Sequence, residues 1–183
     1  LTSSDGNTWA NRTSGTLKNL VGVTYGNGLF VTVGQSGTVL TSSDGTTWTS
    51  RTSGTSGNLQ GVTYGNGLFV SVGDGGTILT SPDGTTWTSR TSGTWYGLNR
   101  VNYGNGLFVS TGESGTILTS SDGVTWTGRT SGTSDQIREV TYGNSTFVTV
   151  GDNGTILTST DGTSWTSRTS GTTNTLYGVT YSQ

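Results

Sequence analysis

A unit of 39 residues repeats along the whole chain without an insertion or a deletion. Four marker residues recur at this interval: Leu from Leu1 to Leu157, Asp from Asp5 to Asp161, Trp from Trp9 to Trp165, and Tyr from Tyr25 to Tyr181. A fixed period of roughly 20 to 50 residues is typical of solenoids, propellers and repeat arrays. Residues that recur in every copy are expected to build the unit, and residues that differ between copies are free for another task.

Each repeat contains four short strand patterns separated by turns. In the second full copy, the segments 59–64, 68–72, 77–81 and 86–91 are rich in β-forming residues, and GNG, GDGG and PDGT lie between them. Four antiparallel strands in about 40 residues are the pattern of a β-propeller blade. A β-trefoil needs three repeats and a parallel β-helix uses shorter units, so both alternatives fit less well. We predict an all-β, single propeller domain over 1–183, with units starting near 1, 40, 79, 118 and 157.

The turn between the third and fourth strands carries a recurring motif. It reads SSDGNTW at 3–9, SSDGTTW at 42–48, SPDGTTW at 81–87, SSDGVTW at 120–126 and STDGTSW at 159–165. This resembles the Asp-box, or BNR, hairpin in a form one residue shorter between Asp and Trp. The wider unit is similar to repeats of photosystem II assembly-factor-like propellers and of bacterial surface propellers. The resemblance implies the fold but not one function, because such propellers include sialidases, assembly factors, lectins and surface proteins.

The Asp of this motif is expected to hold the turn together rather than to bind a ligand. An Asp side chain can accept hydrogen bonds from nearby backbone N–H groups. The following Gly tolerates a positive φ angle, and the Trp can cover the hairpin with a large apolar area. The alternative, five acidic binding sites, is the less favoured interpretation.

The length predicts a five-bladed propeller in which one blade is incomplete. Five units of 39 residues are 12 residues more than the 183 of this chain. By alignment to the second copy, the missing residues correspond to GLFVSVGDGGTI, which holds the second strand and the start of the third. We expect a composite fifth blade, built from 176–181 and the N-terminal residues. Its unpaired edge would be accommodated by distortion of the blade or by self-association through the gap, or the missing strand would be present in a longer parent protein.

The residues that vary between copies are concentrated in two places. These are the connection before the first strand, together with the start of that strand, and the turn between the second and third strands. In an antiparallel blade both places lie at one end, so we predict one variable face that binds a ligand. Sequence drift in exposed loops is the alternative. The candidate ligand-binding residues are Lys18, Val21, Gln60, Asp74, Trp95, Tyr96, Asn99, Arg100, Glu113, Asp135, Arg138, Glu139, Asp152 and Tyr177.

Trp95 and Tyr96 are the most specific of these candidates, because no other copy carries two adjacent aromatic residues there. Two neighbouring rings in a glycine-flanked loop can stack on a sugar or anchor a protein partner. The alternative is that one of the rings folds back over the edge of its blade.

Composition argues against several classes of function. The chain has no Cys and no His, so the usual nucleophile–base pairs are absent, and so is the commonest metal-binding side chain. A net charge of −2 with 10% charged residues argues against nucleic acid as a partner. The apolar runs are too short for a membrane span. Asp74, Glu113 and Asp152 fall on successive blades, too dispersed for a catalytic pair or a metal cage. We predict a protein that is not an enzyme and that uses no cofactor or metal.

The sequence therefore predicts a module that binds a glycan or a protein and is extracellular or surface-exposed. A structural scaffold without a specific ligand, recently amplified or engineered, is the main alternative, because 40–78 and 79–117 match at 29 of 39 positions. A remnant of a glycosidase is a more remote alternative.

Overall fold

The computed structural model describes residues 1–181, and over that range strands and short turns account for the regular structure. Four antiparallel sheets, here called blades, each contain four strands in chain order. Blade 1 comprises β1 Leu20–Gly26, β2 Leu29–Gly34, β3 Val39–Ser42 and β4 Thr49–Arg51; blade 2 comprises β5 Leu59–Gly65, β6 Leu68–Gly73, β7 Ile78–Ser81 and β8 Thr88–Arg90. Blade 3 comprises β9 Leu98–Gly104, β10 Leu107–Gly112, β11 Ile117–Ser120 and β12 Thr127–Arg129; blade 4 comprises β13 Ile137–Gly143, β14 Thr146–Gly151, β15 Ile156–Ser159 and β16 Thr166–Arg168. The all-β prediction is confirmed, although the third and fourth strands are shorter than predicted.

The turn between the first two strands shows why the repeat folds in this register. In blade 2 the pair Gly65 and Leu68 closes a loop of Asn66 and Gly67, both with positive φ. Such angles suit a two-residue hairpin turn, because its twist matches that of the strands. In blade 4 the same turn is formed by Asn144 and Ser145. Ser145 therefore takes a left-handed conformation at a position that is glycine in the other three blades.

The core lies between the blades. We call the side of a blade that meets the preceding blade its leading face, and the opposite side its trailing face. In blade 2 the leading face comprises Leu59, Val62, Tyr64, Phe69, Leu79 and Trp87; in blade 1 the trailing face comprises Leu29, Val31, Val33 and Val39. These two faces form one apolar cluster, and equivalent clusters join blades 2 to 3 and blades 3 to 4. Each blade therefore buries its apolar surface mainly against its neighbours.

Glycine permits this close packing at one repeated position. Each leading-face tyrosine covers a glycine of the preceding blade, as Tyr64 covers Gly26 and Tyr103 covers Gly65. Any side chain at these glycines would overlap the tyrosine ring. The first strands β1, β5, β9 and β13 follow one another around a common channel, which holds a cavity of about 370 Å³.

The two terminal segments do not form the predicted composite blade within residues 1–181, so the five-blade count is not confirmed. At the N-terminus, Thr2 and Ala10 make an isolated bridge. At the C-terminus, residues 176–181 form no strand, but the Leu176 N–H donates to the Gly151 carbonyl at 2.9 Å. Tyr181 also covers Gly143, as the other tyrosines cover their glycines. This segment therefore occupies the place of a next first strand on blade 4.

The candidate binding face

The two variable regions meet at one end of the blades, as predicted. We define the variable face as the connections before each first strand, the start of that strand, and the four short 3₁₀ turns at 35–37, 74–76, 113–115 and 152–154. The Asn58 side chain bonds to Asp74 at 2.9 Å and to the Ser36 backbone N–H at 3.0 Å. Connection and turn are thus joined within a blade and between blades.

The opposite end is held by the recurring Asp turns. The Asp44 carboxylate accepts from the backbone N–H groups of Thr46 and Thr47, each at 2.8 Å, and from the Ser42 hydroxyl at 2.9 Å. The same arrangement lowers the pKa of Asp5 and of Asp122 to about 2, since hydrogen bonds favour the charged form. The turn aspartates therefore hold their own turns together by local hydrogen bonds, as the sequence predicted.

The variable acidic residues of blades 2 and 3 bond to their own surroundings. Asp74 accepts from the amides of Asn58 and Gln60, both at 2.9 Å. Glu113 accepts from the Gly97 backbone N–H at 2.9 Å. These carboxylates therefore hold the connection against the turn, and each keeps acceptor positions that these bonds do not use.

Asp135 has a similar position before blade 4. It accepts from the Asn153 amide at 2.8 Å and from the Thr155 hydroxyl at 3.0 Å. These hydrogen bonds hold the pKa of its carboxyl below the ordinary value. Beside it lies a groove of about 880 Å³ that Asn153, Thr155 and Arg168 also line.

Arg138, Asp152 and Tyr177 form a cluster at the C-terminal side of blade 4. Arg138 makes a two-pronged ion pair with Asp152, with Nη2 and Oδ2 at 3.2 Å, and its guanidinium lies 5.1 Å from the centre of the Tyr177 ring. The Thr175 hydroxyl donates to Asp152 at 3.2 Å. The pairing raises the pKa of Arg138 and lowers that of Asp152. Two predicted ligand-binding residues, Arg138 and Asp152, therefore contact the segment that follows blade 4, and a third, Tyr177, is part of that segment.

Arg100 and Glu139 form a second ion pair, in the central channel between blades 3 and 4. Arg100 Nε lies 3.1 Å from Glu139 Oε2, and Arg100 Nη1 donates to the Gln60 carbonyl at 2.7 Å. Blades 1 and 2 have Gly22 and Gly61 at the same repeat position. Arg100 therefore joins three successive first strands.

Asn99 also connects neighbouring blades. Its amide donates to the Ile137 carbonyl at 2.8 Å, and its side-chain oxygen accepts from Gln136 at 3.2 Å. Asn99 and Arg100, which the sequence predicts to bind a ligand, thus make contacts between blades in the structure.

Trp95 and Tyr96 are the candidates that remain most available. Trp95 is 80% exposed and Tyr96 is 39% exposed, with ring centres 6.0 Å apart. Trp95 therefore does not fold back over its blade. It forms one wall of a groove of about 450 Å³, together with the turn at 75–77 and Arg90. Lys18, in the connection before blade 1, and Val21, on β1, are also exposed.

The ion pairs were missed when the sequence was interpreted, although it contains a signal for one of them. Arg100 and Glu139 are 39 residues apart, so opposite charges occupy one repeat position on adjacent blades. Leu17 was also missed; it is fully exposed and occupies the same repeat position as Trp95.

The described residues show no arrangement of acidic groups suited to a metal. Among residues 1–181, no group of three or more Asp, Glu, His and Cys side chains lies close enough together to hold an ion. In the same range, no helix has the length and the apolar character required to cross a membrane.

The chain is similar in fold to several solved β-propellers. YCF48 bound to a D1 peptide has a TM-score of 0.67 at 19% identity, covering 83% of this chain and 53% of that one. YCF48 from Cyanidioschyzon merolae has a TM-score of 0.63 at 19% identity, covering 82% and 56%. The GH74 enzyme of Niastella koreensis has a TM-score of 0.59 at 22% identity, covering 80% of this chain and 24% of the enzyme.

This chain spans about half the length of the YCF48 chains. No protein-family model matches it, and no curated protein does. At these identities the likeness establishes the fold alone: the chain has the β-propeller architecture.

Proposed function

We propose that this propeller is a non-enzymatic module that binds a protein segment through its variable face, with Trp95 and Tyr96 as the anchor. The observation that carries the proposal is the exposure of Trp95, 80% of its surface, beside a groove and next to a second aromatic ring. Exposing so large an apolar side chain has no benefit for the stability of the blade. Tryptophan and tyrosine are also enriched among residues that dominate binding energy at protein interfaces.

A protein partner is favoured over a glycan by the neighbouring structures. One of the similar propellers is described as bound to a peptide. The paired rings could also stack on a sugar, so a glycan is the second candidate.

Two further elements belong to the same proposal. We propose that the Asp turns are short Asp-box hairpins and that the protein is extracellular or surface-exposed. The geometry of Asp44 and its turn supports the first of these.

In the experiment, the intact chain is used to select binders from a peptide display library and to screen a glycan array. The affinity of each binder is then measured for the parent chain and for the variants. The test variant, Trp95→Ser with Tyr96→Gly, carries the residues of the matching positions Ser56 and Gly57. The fold should be retained, and selected peptides should bind at least tenfold more weakly, since loss of an aromatic anchor typically exceeds 1.4 kcal/mol, about tenfold in Kd.

The matched control is Val124→Thr, which changes an exposed apolar residue at the opposite end to the residue found in other copies. This variant should bind like the parent. Peptides whose affinity is unchanged by the double substitution would contradict the proposal. Binders found only on the glycan array would favour the glycan, and the absence of any binder would favour a scaffold without a ligand.

A further inference from the structure

The segment that follows blade 4 has almost the same sequence as the first strand of blade 1. Residues 176–181 read LYGVTY and residues 20–25 read LVGVTY, so the two segments differ only in Tyr177 against Val21. A site that holds one of them has the shape and the hydrogen-bonding groups to hold the other.

The C-terminal segment is seated on blade 4 by contacts that depend mostly on the shared residues. The Leu176 N–H donates to the Gly151 carbonyl at 2.9 Å, and the Tyr181 ring covers Gly143. The exception is Tyr177, whose ring lies against Arg138. Val21 has no ring to offer at that position.

Within residues 1–181, by contrast, no trailing face of another blade covers the leading face of blade 1. Val23 is 64% exposed and Tyr25 is 58% exposed, whereas Val62 at the same repeat position is 9% exposed. This exposed face borders a cavity of about 680 Å³, which Val23, Phe30 and Trp48 line together with Leu1, Thr2 and Arg12 of the N-terminal segment. That segment must move aside for another chain to pack against the face. The other leading faces are covered by a trailing face, in three equivalent interfaces.

We infer that two copies of this chain associate head to tail, with β1 of one copy taking the place of residues 176–181 on blade 4 of the other. The leading face of blade 1 then meets a trailing face, as it does three times within the chain. Tyr25 takes the position over Gly143 of the second copy that Tyr181 holds within a single chain. In the single chain, residues 176–181 act as a cap that competes with this association.

The competition favours the single chain at low concentration. The cap is already attached to blade 4, and it alone provides the contact between Tyr177 and Arg138. Association therefore increases with protein concentration. Because the surfaces that meet are different, the contact is heterologous and generates a closed ring or an open filament. This inference involves a different face from the proposed binding of a protein segment and does not depend on it.

The test is the molar mass of the intact chain, measured by sedimentation from low micromolar to near-millimolar concentration. The parent chain should gain mass as its concentration rises. Val23→Asp places a charge on the exposed leading face and should keep the protein monomeric. The control Val124→Asp changes an exposed valine at the Asp-turn end and should associate like the parent.

A second variant strengthens the test by weakening the cap. Tyr177→Val makes 176–181 identical in sequence to residues 20–25 and removes the ring beside Arg138. It should lower the concentration of half-association roughly two- to fivefold, the scale of a lost exposed cation–π contact. Adding Val23→Asp should return it to a monomer. Circular dichroism and thermal melting verify that every variant is folded.

Three results would overturn the inference. These are a constant monomer mass for both the parent and Tyr177→Val, association that persists in Val23→Asp, and an equal loss of association in Val124→Asp.

Discussion

At the scale of single residues, the turn aspartates of this chain share one local environment. Asp5, Asp44, Asp83, Asp122 and Asp161 each accept two backbone N–H groups and one serine hydroxyl from the same turn. Every partner lies within three residues in the sequence, so the arrangement needs nothing from the rest of the molecule. The recurrence of Asp is therefore explained by local hydrogen bonding.

The lowered pKa values of these carboxylates predict how the stability of the fold depends on pH. Their pKa values in the folded protein lie below the ordinary 3.8, at about 2 for Asp5 and Asp122. A depressed pKa contributes stability that is present above about pH 4 and is lost as the pH falls towards 2. Thermal melting should be nearly constant from pH 7 to 5 and should drop between pH 4 and 2.

The variant Asp122→Asn identifies the group responsible. It should melt below the parent at neutral pH, because the charged form makes the stronger hydrogen bonds. The difference should narrow as the pH approaches 2. A melting temperature that stays level from pH 5 to 2 would show that the turns do not depend on charged carboxylates.

At the scale of elements, the unit of stability is the contact between two blades. The same phenylalanine position shows the effect of a neighbour: Phe69, Phe108 and Phe147 are fully buried, whereas Phe30 is only partly buried. The sequence around all four is nearly the same. The difference arises because the leading face of blade 1 has no trailing face against it.

Truncation of these rings should give unequal losses of stability. Phe108→Ala should lower the free energy of unfolding by about 3–5 kcal/mol, the usual cost of removing a buried phenylalanine. Phe30→Ala should cost less, since much of its surroundings is already open. Denaturant unfolding at low protein concentration, where head-to-tail association is weakest, provides the measurement. Equal losses would mean that the leading face of blade 1 is covered in solution.

At the scale of the whole molecule, the variable charges connect parts that are distant in sequence. Arg100 bonds to blades 2 and 4, and Arg138 with Asp152 holds the segment that follows blade 4. The residues that differ between copies therefore make contacts that are specific to one blade, in a molecule whose blades are otherwise alike. Part of the variable face makes contacts between blades, whereas the aromatic pair before blade 3 stays exposed, as the proposed binding role requires.

The role of Arg138 can be tested by amide hydrogen exchange. Arg138→Ala should accelerate exchange at Leu176, because the cap loses the ring contact and the ion pair beside it. The strands of blades 2 and 3 should keep their protection. Arg100→Ala, which removes the other ion pair, should leave Leu176 unchanged; equal acceleration in both variants would indicate general loosening of the structure.

The sequence by itself determined the local structure of this protein. The 39-residue period, the glycine turns and the alternation of apolar residues predicted four-stranded antiparallel blades, and the Asp turns follow from bonds within a few residues. The position of the variable loops at one end was also predictable, because antiparallel strands place their ends by simple alternation.

Only the tertiary structure decided which variable residues are available to a partner. Asp74, Arg100 and Arg138 look like free charges in the sequence, but folding brings each of them to a partner. Asp74 and Arg138 meet groups of their own blade or the connection before it, and Arg100 meets Glu139 on the next blade. Trp95 has no such partner and stays exposed. The physical reason is distance along the chain: a side chain is committed or free according to neighbours 14 to 39 residues away, and their approach is set by strand pairing within a blade and by packing between blades.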